Sequence, residues 1–235
     1  MAGSEQFTHN ILARGYMKPK QAVAKAVEPR IVEQQESGQA VIVIPPIKMG
    51  RLEVEIVGDT PLLMNAFGKK IQEQMKKRYS DGVKEPRGKA APPDEELYEA
   101  AMHYTEDGKP AYPGGGMKKA ILVAARALDL DVNAMRQIKS GMYVVDALIV
   151  IKGEPRMRVD WGKNSGRNRS PRRIVRAEFP EWSARVRITY DSDIHKPEQI
   201  INIINRAGVY SGWGEWRPSS ARPGTFGMFH VKIAG

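Results

Sequence analysis

The chain has 235 residues, 37 Lys+Arg against 27 Asp+Glu for a formal net charge of +10, and no cysteine. That length suits one or two domains of roughly 100–200 residues, and 41% hydrophobic residues exclude a wholly disordered basic chain. The lack of cysteine excludes a disulfide framework, zinc–thiolate and iron–sulfur sites and any cysteine nucleophile.

It also fits a reducing, cytoplasmic setting. The first ten residues carry no apolar signal-peptide core. The longest apolar runs, Val41–Ile44 and Ala147–Ile151, are far too short to span a bilayer as helices. A soluble protein with no membrane partner is therefore expected.

Residues 1–50 read as a basic N-terminal arm, with Arg14, Lys18, Lys20, Lys25 and Arg30 against Glu5 and Glu28. The arm closes on a strand-like run at 39–44 that Pro45-Pro46 stops. A single domain over 51–235 follows. Arg51–Val57 alternates apolar and charged residues, the pattern of a half-buried strand. Residues 69–79 are helix-permissive, and Lys69–Lys89 holds eight basic and three acidic residues.

Pro93 and a run of acidic residues open a helix over 94–103, and a turn occupies 108–113. Gly114-Gly115-Gly116 leads into a helix over 117–128, with Ile121, Ala125 and Leu128 on one face. Met142–Ile151 reads as one long apolar strand, central in a sheet. Arg156–Trp161 pairs nearby and runs into Lys163–Arg176. That stretch carries Lys163, Arg167, Arg169, Arg172, Arg173 and Arg176 with no acidic residue, and its Gly, Asn and Ser content reads as a flexible loop.

Trp182–Tyr190 is a further alternating strand. Pro197 opens a helix over 198–207 that Gly208 ends, and Phe226–Ile233 is the last strand. Without insertions at about 59–115 and 153–181, the order is βαββαβ. The expected class is α+β, with a ferredoxin-like (RRM-like) core and two large basic insertions.

Basic arms and loops suit a phosphate backbone, because Lys and Arg release its condensed counterions. The bland rival is a solvated surface that maintains solubility. Gly114-Gly115-Gly116-Met117-Lys118-Lys119 offers helix-terminal N–H groups to an anion. It does not match the P-loop spacing, and a plain turn is the structural alternative.

The segment 211–227 sets Trp213, Trp216 and Phe226 beside Arg217 and Arg222, a combination that holds single strands by stacking. The alternative is that the tryptophans cover the core, a role that suits Trp216 better than the glycine-flanked Trp213. His9, His103, His195 and His230 are scattered without metal-ligand spacing. Loop aspartates Asp59, Asp81 and Asp107 nominate no acid–base pair. No cofactor, metal or catalytic residue is expected.

Gly58–Met64 after the first strand, Pro113–Ile121 opening the first main helix, and the Gly-rich segment before the last strand resemble the RAMP superfamily of CRISPR effector complexes. Within it they resemble the backbone subunit that polymerises along guide RNA in antiviral defence. The resemblance implies a ferredoxin-like palm with inserted loops, one of them a thumb hairpin. It makes Lys118 and Lys119 guide-backbone contacts and puts Gly212, Gly214, Gly224 and Gly227 in the Gly-rich loop. The aspartate loop of target-cutting members is not recognisable here.

The expectation is a non-enzymatic protein that binds single-stranded RNA or DNA and assembles head to tail into a filament. Its partners are the strand, further copies and other effector subunits. The contacts are the six basic residues of 163–176, Lys118, Lys119, Arg217 and Arg222, with Trp213, Trp216 or the loop around Trp161 splaying bases. Rivals are a metal-independent endoribonuclease of the RAMP type, a phage or mobile-element relative that coats single-stranded DNA, and an adaptor for an acidic protein.

Overall fold

A computed structural model describes residues 44–66, 92–163 and 171–232, together with Lys76 and Ser80. All of these but Ile44 fall within one unit, Pro45–Gly235. The expected arm and nearly all of the Lys69–Lys89 cluster lie outside the described residues.

Strand β1 (Met49–Gly58) follows its alternation: Val54 and Ile56 are buried while Glu53 stays exposed. It pairs antiparallel with β8 (Ser183–Asp191), Val54 opposite Val186, and with β9 (Phe229–Val231), Ile56 opposite Val231. On the far side of β8 lie two short strands, β4 (Met142–Val144) and β5 (Leu148–Lys152). A further short strand, β3 (Ala111–Pro113), borders β5. The sheet order is β3-β5-β8-β1-β9, with β4 also on β8.

The single strand expected over 142–151 is therefore corrected to two. The break falls where the helix α2 (Gly114–Ala127) starts. Gly114 donates to the Ala147 carbonyl at 2.9 Å, and a Cβ on Gly114 would lie 1.9 Å from the Asp146 oxygen. The glycine lets the helix start abut the strand, and the strand yields at that point.

Helix α2 buries Met117, Ala120, Ile121, Ala124 and Ala125. Its partner α4 (Pro197–Tyr210) buries Ile200, Ile203, Ile204 and Ala207. Pro197 at the first turn and the Lys196 amide bonded to Gln199 Oε1 at 2.9 Å start it. Each isoleucine so buried contributes about 1.5–3 kcal/mol.

Gly208 was expected to end this helix but sits inside it. A Cβ there would lie 1.7 Å from the Phe229 carbonyl oxygen, so glycine is retained for close approach to β9. Residues 132–140 form α3 (Val132–Ser140), capped by Asp131 accepting from Asn133 and Ala134. Helix α1 (Asp94–Ala101) covers the expected 94–103 segment less its last two residues.

With α2 between β1 and β4/β5, and α4 between β8 and β9, the core is α+β and ferredoxin-like. The chain order is not a bare βαββαβ, because further elements intervene. Three of them form a second sheet, β2-β7-β6, from β2 (Leu62–Met64), β6 (Arg156–Lys163) and β7 (Pro171–Phe179). The loop expected over 163–176 is thereby corrected: Pro171–Arg176 is strand. The two expected insertions meet, since β2 comes from the first and the β6–β7 hairpin from the second. Among the described residues, no helix is long and apolar enough to cross a membrane.

Candidate nucleic-acid interface

The β6–β7 register sets the site. Arg156 lies opposite Glu178, Arg158 opposite Arg176, and Asp160 opposite Ile174, all on one face. On that face three arginines meet three carboxylates. Arg156 Nε donates to Glu178 Oε2 at 2.6 Å and Arg158 Nη1 to Glu178 Oε1 at 3.0 Å. Arg158 Nε reaches Asp160 at 3.0 Å. Arg176 reaches Asp160 at 3.2 Å and Glu215 at 2.5 Å.

Burial by itself would raise the Glu178 carboxyl. The bonds from Arg156 and Arg158 overcome that and hold it below its ordinary value. The same network, led by the Asp160 bond, holds the Arg158 guanidinium above its ordinary value.

The C-terminal segment closes over this face. Arg176 lies 4.1 Å from the Trp216 ring centroid, Arg158 5.1 Å from that of Phe226, and the two rings sit 6.0 Å apart. Arg176 is only 4% exposed. It is thus a buried ion-pair and stacking partner, and the expectation that it grips a phosphate does not hold. Trp216 is half-buried against it. Arg217 donates to the Gly214 carbonyl at 2.7 Å and to Ser219, while Arg222 is exposed.

Trp213 is fully buried, edge-on to Tyr112 at 5.1 Å and near Trp182 at 5.9 Å. It belongs to the core and presents no stacking plane, a second correction. Its indole N–H, beside Gly116, has no hydrogen-bond partner.

The opposite face of β6 is different. Met157, Val159 and Trp161 point outward, with Trp161 73% exposed. Next to Trp161, Arg173 pairs with Asp94 at 2.9 Å. Lys163 and Arg172 lie on the ends of β6 and β7, and Arg167 and Arg169 fall outside the described residues. The hairpin thus brings Trp161 to the strand end where the basic stretch begins.

At the start of α2 the two lysines diverge. Lys119 is exposed. Lys118 donates to the Ile138 carbonyl at 2.9 Å and to the Met142 carbonyl, joining α2 to the end of α3. Burial lowers its pKa. That engaged ammonium is a structural tie rather than a free cation.

Sequence spacing missed one pair: His230 Nδ1 donates to Asp59 Oδ1 at 2.6 Å, across 171 positions, with both side chains substantially exposed. His103 stacks edge-on to Tyr112 at 5.8 Å, and burial lowers its pKa. His195 is buried, bonded to the Gln137 carbonyl at 3.1 Å. Among the described residues, no group of three or more His, Asp or Glu is placed to hold a metal.

No protein-family model matches the chain, and no curated protein matches it by sequence. Among solved structures the chain is similar to a subunit of a type III-B Cmr-beta complex bound to cognate target RNA. That match has 14% identity and a TM-score of 0.45, over 79% of this chain and 60% of that one. It is also similar to Cmr6 from Pyrococcus furiosus, at 8% identity and 0.44, over 80% and 100%. A CRISPR RNA-guided surveillance complex matches at 10% and 0.33, over 77% and 66%. The chain therefore spans less than two thirds of the first of these. The likeness to all three is one of partial backbone arrangement at low identity.

Proposed function

We propose that this protein binds single-stranded nucleic acid without cleaving it and assembles head to tail along the strand, as the RAMP resemblance of Gly58–Met64 and Pro113–Ile121 implies. One observation carries the reading: Trp161 is 73% exposed at the strand end that runs into Lys163–Arg176, where no acidic residue stands. An exposed indole beside a basic stretch offers the base plane and the phosphate charge that a single strand needs, although Arg173 and Arg176 of that stretch are engaged by carboxylates. Exposed Lys119 and Arg222 add cations elsewhere on the surface. Other effector subunits are further partners on this reading.

The test is to purify the protein, extract what it carries, and treat that material with RNase or DNase, with electron microscopy of the same preparation for filaments. Co-purified nucleic acid and filaments are expected. Protein free of nucleic acid that also fails to bind a labelled oligonucleotide at low salt would overturn the reading.

A second reading is a metal-independent endoribonuclease, and the Asp59–His230 pair is the observation that favours it. A carboxylate-oriented imidazole is a usable general base or acid. Discrete cleavage of labelled RNA in chelator, lost in His230→Ala, would replace the binding reading with this one.

A further inference from the structure

Strand β6 inverts the usual amphipathic order. Its charged residues Arg158 and Asp160 are half-buried under the C-terminal segment, while Met157, Val159 and Trp161 are 38%, 42% and 73% exposed. Helix α1 packs on β7, where Val175 and Ala177 are buried, and among the described residues this stripe of β6 stays exposed. Strand β6 is also an edge among the described residues, where β7 is its one partner in the sheet β2-β7-β6. It runs eight residues without a proline. Arg156 at its start is exposed, but Met157–Trp161 offers neither a proline nor an outward-facing charge, and such an edge is a template for another strand.

We propose that in the nucleic-acid-free protein this edge pairs antiparallel with the β6 of a second copy, about a two-fold axis through Val159. The residues select both the partner and the register. Centring on Val159 sets Val159 against its own copy and places Met157 opposite Trp161 of the second copy, twice. On the other face Arg158 then lies opposite Asp160 of the second copy, again twice.

Moving the axis one residue either way sets Arg158 against Arg158 or Asp160 against Asp160, a repulsion between like charges directly opposed. Moving it by half a residue sets an apolar side chain of one copy against a charged one of the other, because opposed residues share a face. A parallel arrangement in register lines like charges beside like. One register therefore satisfies the charge and the apolar pattern together. Self-pairing and base stacking both draw on Trp161, so the pairing belongs to the chain without bound strand, and it does not depend on the nucleic-acid reading.

The absence of cysteine makes the test direct. Opposed residues of an antiparallel pair have Cα atoms about 4.5–5.5 Å apart, within the roughly 4.4–6.8 Å a disulfide spans. Full-length Val159→Cys, stripped of nucleic acid by nuclease and high salt, is oxidised at micromolar concentration. Val150→Cys, comparably exposed on β5, is the control. Disulfide dimer from Val159→Cys is expected about tenfold or more faster than from the control, because pairing raises the local thiol concentration toward millimolar.

A mixture of Met157→Cys and Trp161→Cys chains should cross-link faster than either alone. Sedimentation of the unaltered chain should give a dimer that Val159→Lys converts to monomer with unchanged circular dichroism. Equal cross-linking of Val159→Cys and the control, or a monomeric unaltered chain, overturns the proposal whatever the outcome of strand binding.

Discussion

Replacing Arg176 by alanine is a stringent probe of the hairpin, because the side chain was expected at a phosphate and is instead inside the protein. Arg176 is 4% exposed, bonded to Asp160 at 3.2 Å and Glu215 at 2.5 Å, and stacked at 4.1 Å on Trp216. Removing one partner of a buried ion pair costs about 3–5 kcal/mol, since the remaining charge loses its compensation. Here both carboxylates keep another donor: Asp160 retains Arg158, and Glu215 retains Asn65 Nδ2 at 3.1 Å. That pulls the ionic loss toward the lower bound.

The lost guanidinium–indole contact adds about 0.5–2 kcal/mol. The total is therefore about 3.5–5 kcal/mol, which for a chain of this size lowers Tm by roughly 7–20 °C. Urea denaturation and calorimetry of Arg176→Ala measure it, with Arg173→Ala as comparison. The Arg173–Asp94 pair is more exposed, so its loss should stay near or below about 1 kcal/mol. An Arg176→Ala protein within 1 kcal/mol of the parent would refute the reasoning that this network holds the hairpin.

Trp161→Ala should weaken oligonucleotide binding roughly 5- to 150-fold with little change in Tm, read by fluorescence anisotropy. Trp213→Ala should instead lose about 3–5 kcal/mol of stability, read by urea titration. Gly208→Ala should destabilise the protein by about 1–3 kcal/mol through overpacking against Phe229, although helix propensity alone predicts a gain of nearly 1 kcal/mol; denaturant midpoints decide the sign.

For Glu178 the folded pKa is depressed. Its contribution is therefore complete above the ordinary glutamate value of about 4.3 and is lost as pH falls through the folded value. The stability gap between the parent and Glu178→Gln should be widest near neutrality and close in acid. A gap constant from neutral to acid pH would contradict the assignment.

Local pattern was readable wherever one face of an element meets the core. The alternation in Arg51–Val57 and Trp182–Tyr190 and the helical spacing of Ile121 and Ala125 place those residues as observed. What failed depends on distant contacts. The 142–151 run is broken by Gly114 donating to Ala147, which no property of the run itself encodes. Strand β7 was hidden by its charge, because the carboxylates that compensate Arg176 lie 16 and 39 positions away. Gly208 looks like a stop only until Phe229 is known to lie against it.

At the candidate site, Trp161 was legible only through the loop around it and Lys119 chiefly through the RAMP resemblance; both side chains are exposed. The burial of Trp213 was not legible, since flanking glycines suit a buried ring as well as an open loop. The Asp59–His230 pair had no local signal at all, whereas the outward stripe of β6 was present in the alternation Arg156-Met-Arg-Val-Asp-Trp161. Only the covering of the charged face by the C-terminal segment decides which half faces water.

The most direct test of the central claim is the salt dependence of binding. Nuclease-treated protein is titrated onto a fluorescent single-stranded oligonucleotide, RNA and DNA in parallel, across a range of salt concentrations. With about four phosphates neutralised by the hairpin and its neighbours, the logarithm of the binding constant should fall linearly against log[salt] with a slope near −3. Mixed sequences should behave alike. A slope near zero, or no binding at low salt, would contradict the account.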